Sequence, residues 1–217
     1  MRKYIKTGLL MLTLVFPVLI YLFLKVFTTN HYDLPYFVPL RDVANNAIVQ
    51  SNGDTTFYQI QDFSLKTADG STISTASLQG KTIVISTVSS PCADTCKEVL
   101  SQLARVQSLH QAYPAFFVLT LVSEDNPQLI SSIKESREVE EAWKIATVPD
   151  SAFSLILQDV FRLSEKVPGL QTISPQARLS LVDDAGFIRG FYDTTDPEEV
   201  DRLMAEIRIL EHNRKQD

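Results

Sequence analysis

The stretch Thr82-Ile-Val-Ile-Ser-Thr-Val-Ser-Ser-Pro-Cys92-Ala-Asp-Thr-Cys96-Lys-Glu-Val-Leu100 contains both cysteines of the chain. Thr82 to Val88 is β-branched and does not alternate with polar residues, so it reads as a strand buried on both faces. Lys97 to Tyr113 has helical character. A helix that begins near Cys92 sets positions i and i+4 on one face of its first turn, so both sulfurs project from a strand-to-helix junction. The partial positive charge of a helix N-terminus lowers a thiol's pKa and favours the thiolate. Two converging thiolates close a disulfide or bind a soft metal such as Cu(I) or Zn(II). The bland alternative, two buried inert cysteines, is disfavoured by their place at the junction.

Outward from this junction the chain alternates strand and helix signals. Upstream, Gln59–Leu65 alternates apolar and polar residues, Ala68-Asp-Gly70 signals a turn and Ser71–Ser74 returns, which predicts a β-hairpin. Downstream, Ala115–Val122 reads as a second buried strand. Ser123–Arg137 reads as loop then helix, with Leu129, Ile130 and Ile133 on one face. Ser151–Leu163 has the 3.6-residue period of an amphipathic helix. Arg178–Asp183 and Phe187–Tyr192 flank the turn Asp184-Ala-Gly186 as a second hairpin. Asp196-Pro-Glu-Glu199 predicts an N-cap, Pro at the first helical position and a capping box. Val200, Leu203, Met204, Ile207 and Leu210 make the stripe of that last helix. This order predicts an α/β fold: a mixed sheet with flanking helices and an N-terminal β-hairpin, the layout of a thioredoxin-like domain.

The N-terminus reads differently. Residues 1–7 are basic and residues 8–27 almost wholly apolar, close to the length that spans a bilayer. A cleavable signal peptide is the competing reading, but large residues and Lys25 stand where small cleavage-site residues are expected. An uncleaved, single-pass transmembrane anchor is therefore expected. Arg2, Lys3 and Lys6 hold the short end in the cytoplasm and leave the rest on the extracytoplasmic (periplasmic) side, where a disulfide persists. Residues 28–56 read as an extracytoplasmic linker, with Pro35, Pro39 and no sustained period, and 57–217 as the folded domain. The net charge of −6 excludes nucleic acid as the main partner.

From about Tyr58 to Leu210 the chain resembles the Sco/SenC family of membrane-anchored, thioredoxin-fold proteins linked to copper delivery in cytochrome c oxidase assembly. The residues that carry the likeness are Asp62–Gly70, Leu78-Gln-Gly-Lys81, Cys92-x3-Cys96, Leu181-Val-Asp-Asp-Ala-Gly186 and Phe191-Tyr192. The resemblance implies Cys92 and Cys96 as copper ligands and redox pair, copper as cofactor or cargo, and an oxidase subunit or another thiol or copper protein as partner. It departs from the pattern twice. Ala93 stands where the family has Pro, and Pro175 where it has a third, histidine ligand. Only His31, His110 and His212 exist in the chain. Two thiolates still suit Cu(I), whereas Cu(II) wants a nitrogen ligand. Three functions follow: a metallochaperone-like accessory protein, a thiol-disulfide oxidoreductase without copper, and a non-catalytic module with a structural disulfide.

Overall fold

The computed structural model describes residues 2–27, 33–88, 94–123, 126–136, 141–165 and 177–215. The chain forms two compact units, Met1–Asp33 and Leu34–Asp217. The first contains α1 (Arg2–Phe27), whose residues 11–23 are all exposed. Among the described residues no helix is long and apolar enough to cross a membrane.

The second unit holds β1 (Ser64–Thr67), β2 (Thr72–Ser74), α2 (Thr75–Leu78), β3 (Thr82–Val88), α3 (Asp94–Gln107), β4 (Phe116–Ser123), α4 (Pro127–Ser136), β5 (Trp143–Val148), α5 (Asp150–Leu155), β6 (Arg178–Val182), β7 (Ile188–Asp193) and α6 (Pro197–Arg214). A short 3₁₀ turn, Ser108–Gln111, follows α3, and a π-helical turn, Ile156–Val160, follows α5. The seven strands form one mixed sheet in the order β2-β1-β5-β4-β3-β6-β7. β3, β4 and β5 are parallel, and the outer pairings are antiparallel. Every residue of β3 is buried, as the unbroken apolar run requires of a central strand covered on both faces.

The two faces of that strand feed separate cores. Val84 and Val88 join Val118, Val122, Trp143 and Ile145 beneath α3, α4 and α6. Ile83 and Ile85 join Leu119, Leu121, Val148 and Phe191 on the other face, which is covered by Tyr58, Ile60 and the α5 region. On β7, a Cβ at Gly190 would overlap the phenol of Tyr192, which folds back over it.

Three expectations need correction. β5 is absent from the sequence reading: Trp143-Lys-Ile-Ala-Thr-Val148 has no clean period, yet it pairs along its whole length with β4. The expected linker is folded from Leu34 onward. Phe37 N–H donates to Ile188 O (3.1 Å), and Leu40, Ile48 and Thr56 form a closed triangle in which each N–H donates to the next carbonyl, all at 2.8 Å. The capping box on α6 is only half made: Asp196 accepts from Glu198 N–H (2.9 Å), but Glu199 turns to Arg202. A charged partner one turn on outcompetes the N-cap amide for that carboxylate.

Candidate functional site

Parallel strands place their C-terminal ends along one edge of the sheet, where α/β folds gather their sites. β3 delivers the chain to that edge, and α3 leaves from it. Cys96 is the third residue of α3, half-buried and packed against the core under the helix. It is disulfide-bonded, and Cys92 is the one other cysteine of the sequence. Cys92 itself, with the segment 89–93, lies outside the described residues, as does Pro175.

α3 is held by Val99, Leu100, Leu103 and Val106, all buried. These recur at helical spacing, so the face that anchors the helix is fixed and Cys96 is carried at its N-terminal end. Lys97 and Glu98 are exposed. A thiolate released at this position gains from the unpaired N–H groups of the first turn.

Beneath α3 lies a buried polar chain. Ser86 Oγ is 2.7 Å from Thr120 Oγ1, and Trp143 Nε1–H donates to the same Thr120 oxygen at 2.8 Å. Ser86 and Thr120 are register partners between β3 and β4. Two hydroxyl residues interrupting aliphatic strands are the available signal, but the register that brings them together is not visible in sequence.

Arg178 also escapes the sequence reading. The antiparallel register pairs Ile85 with Ser180. Arg178 opens β6 two residues before Ser180, toward the cysteine edge. The side chain is buried, and its guanidinium donates to Leu163 O (2.9 Å) and Glu165 O (2.6 Å). Burial pulls its pKa below the ordinary value, with Glu165 opposing. Its signal is an arginine opening an apolar strand.

The histidines do not join Cys96. His110 lies fourteen residues after it (110 minus 96), about 20 Å along a helix, with Nδ1 2.6 Å from Phe116 O. His212 is exposed near the end of α6, and His31 is outside the described residues. Among the described residues no group of three or more His, Cys, Asp or Glu is gathered for a metal. By donor chemistry, a cysteine pair alone accepts Cu(I) in two-coordinate thiolate ligation and lacks the nitrogen that Cu(II) prefers.

No family model matches the sequence, and no curated protein matches it. Solved structures do. One is BsSco, described as a member of the Sco family of cytochrome c oxidase assembly proteins with a disulfide switch: TM-score 0.58, 16% identity, over 71% of this chain and 94% of that one. A second is copper-bound ScoI from Bradyrhizobium japonicum: TM-score 0.50, 14% identity, over 70% and 99%. A third is the thioredoxin domain of a thiol-disulfide oxidoreductase from Bacteroides vulgatus: TM-score 0.50, 12% identity, over 69% and 95%. What this chain shares with them is architecture: it has the thioredoxin-like fold, and Sco/SenC proteins are among the solved structures most like it.

Proposed function

We propose that this chain is a Sco-like accessory protein of cytochrome c oxidase assembly. In this reading the Cys92/Cys96 pair cycles between dithiol and disulfide, and the dithiol carries Cu(I) as cargo to an oxidase copper site. The observation that carries the reading is Cys96, disulfide-bonded on the first turn of the helix that follows the first parallel strand. The likeness to Sco-family structures supports it, one of them copper-bound and one described by its disulfide switch. Residues 8–27 serve as the anchor, which puts the domain on the extracytoplasmic side.

The exchange chemistry balances within the two sulfurs and a partner disulfide. One thiolate attacks the partner, whose S–S bond breaks and releases a thiolate, leaving a mixed disulfide. The second cysteine's thiolate breaks that bond and closes the intramolecular disulfide. Two electrons pass to the partner, and the protons of the two thiols end on the partner's two sulfurs. Return to the dithiol requires an external dithiol reductant on the same side of the membrane.

The test uses the full-length chain in detergent, reduced and anaerobic, against Cys92→Ser/Cys96→Ser. Cu(I) is expected to bind the parent with one ion per chain and to be lost in the double variant. Equal copper in both overturns the cargo role. Pro175→His is expected to strengthen Cu(II) binding, because imidazole supplies the nitrogen ligand. The position of His110 and His212 away from Cys96 favours a second reading, a dithiol oxidoreductase without copper. That reading holds if exchange proceeds while neither oxidation state of copper binds. A disulfide potential below about −300 mV marks a structural staple and sinks both.

A further inference from the structure

At the opposite edge of the sheet, the starts of the same strands border a cleft of about 330 Å³. Lys81 precedes β3, Lys144 is the second residue of β5, and His110 comes from the turn after α3. Ser71 and Ser77 also line it, their hydroxyls already donated to Asp69 and to Ser74 O, and Glu141 adds a carboxylate. β3 is seven residues long, so the cleft lies about 20 Å from the cysteine edge.

Three observations single it out. Among the described residues neither Lys81 nor Lys144 forms an ion pair, although the chain carries a net charge of −6. The nearby carboxylate of Asp69 is held by its own turn through Oδ1, which accepts from Thr67 Oγ1 (2.5 Å), Ser71 Oγ (2.7 Å) and Ser71 N–H (2.9 Å). It acts on Lys144 only through space. A carbonyl oxygen only accepts, so the contact with Phe116 O puts the proton of His110 on Nδ1 and leaves Nε2 as an acceptor on the wall of the cleft.

We propose that this cleft binds a small phosphomonoester, its phosphate between Lys81 and Lys144. Lysine is a compact point charge suited to phosphate, and a dianion answers two lysines where a carboxylate answers one. The cleft is at the lower end of small-molecule site volumes and exceeds the needs of a bare ion. Among the lining residues two lysines stand against one carboxylate, Glu141, with Asp69 beside Lys144. The site is separate from the sulfur chemistry and does not depend on it.

Calorimetric titration of the full-length chain in detergent with phenyl phosphate tests this, with benzoate as the carboxylate probe. Phenyl phosphate is expected to bind with a Kd of about 1 mM or tighter, and benzoate more weakly. Lys81→Gln and Lys144→Gln should each weaken phenyl phosphate about fivefold or more, since each removes one charge from the phosphate. Arg208→Gln, on α6, should leave it unchanged. In chain labelled at the histidine rings, only the His110 resonance should move on titration. No saturable heat, equal affinity for benzoate, or equal weakening by Arg208→Gln each overturns the assignment. An unchanged chemical-denaturation midpoint in every variant shows that the fold is intact.

Discussion

The two faces of the central strands are built from alternate residues of the same stretches, yet they solve different problems. The face under α3 carries the Ser86–Thr120–Trp143 chain among its valines. The opposite face holds Thr87 and Ser180 among its aliphatic and aromatic residues, and polar bonds also lie at its cover, where Tyr58 Oη donates to Asp159 O (2.6 Å) and Val160 O (3.0 Å). Hydroxyls within the sheet tie strands to one another, while hydroxyls at the cover tie a later element onto the sheet. The first kind fixes the platform from which Cys96 projects. The second fixes the π-helical turn Ile156–Val160 against Tyr58.

The largest expected effect is on the platform. Trp143 is fully buried, and Trp143→Ala should cost about 3–5 kcal/mol in chemical denaturation, through the cavity and the lost donor. A cost under about 1 kcal/mol would show that β5 is dispensable to this face. Next comes the cover: Tyr58→Phe leaves two carbonyls without their donor and should cost about 1–3 kcal/mol. It should also raise proteolysis around residues 156–165 before global unfolding. Thr120→Val should cost about 1–2 kcal/mol, and adding Ser86→Ala should cost less than its single effect, because both partners of one bond are then removed. Strict additivity would mean that the two hydroxyls are not coupled.

The smallest effect is alkaline. Each face has one buried phenol, Tyr58 and Tyr192, and burial raises both pKa values, Tyr192 further because Glu206 faces it. Its Oη donates to Glu206 Oε2 at 2.5 Å. Above about pH 10 the unfolded chain releases protons that the fold retains, so stability falls as pH rises, by about 1.4 kcal/mol per pH unit for each retained proton. Tyr192→Phe should remove more of this slope than Tyr58→Phe, as read from unfolding midpoints between about pH 9 and 11.

The elements that announce themselves in the sequence are those whose burial is uniform. Thr82–Val88, Phe116–Val122, the β6–β7 hairpin with Gly186 at φ +87°, and the Val200–Leu210 stripe all have a single environment along their length. β5 does not, since Lys144 and Thr147 break the run where it borders clefts and neighbours. Residues 34–57 are illegible for another reason. Their order comes from backbone hydrogen bonds among Leu40, Ile48 and Thr56, and such bonds leave no periodic trace in side chains. At the site, the cysteines are visible because the residue type names its own chemistry. Arg178 and the Ser86–Thr120 pair owe their places to strand register, which the sequence does not display.

Gly190 and Tyr192 have a consequence for how this chain can change over time. A side chain at position 190 occupies the volume of the phenol, and the ring has no exposed route of retreat because Tyr192 is fully buried. A lineage that acquired Gly190→Ala would have to lose the bulk at 192 in the same step or pass through a destabilised intermediate. A lineage that lost Tyr192 first would open a cavity and leave Glu206 with Arg202 alone, and only then gain tolerance at 190. The two positions are thus an ordered pair, in which the path through 192 is the gentler one and either substitution alone misreports the freedom of the other.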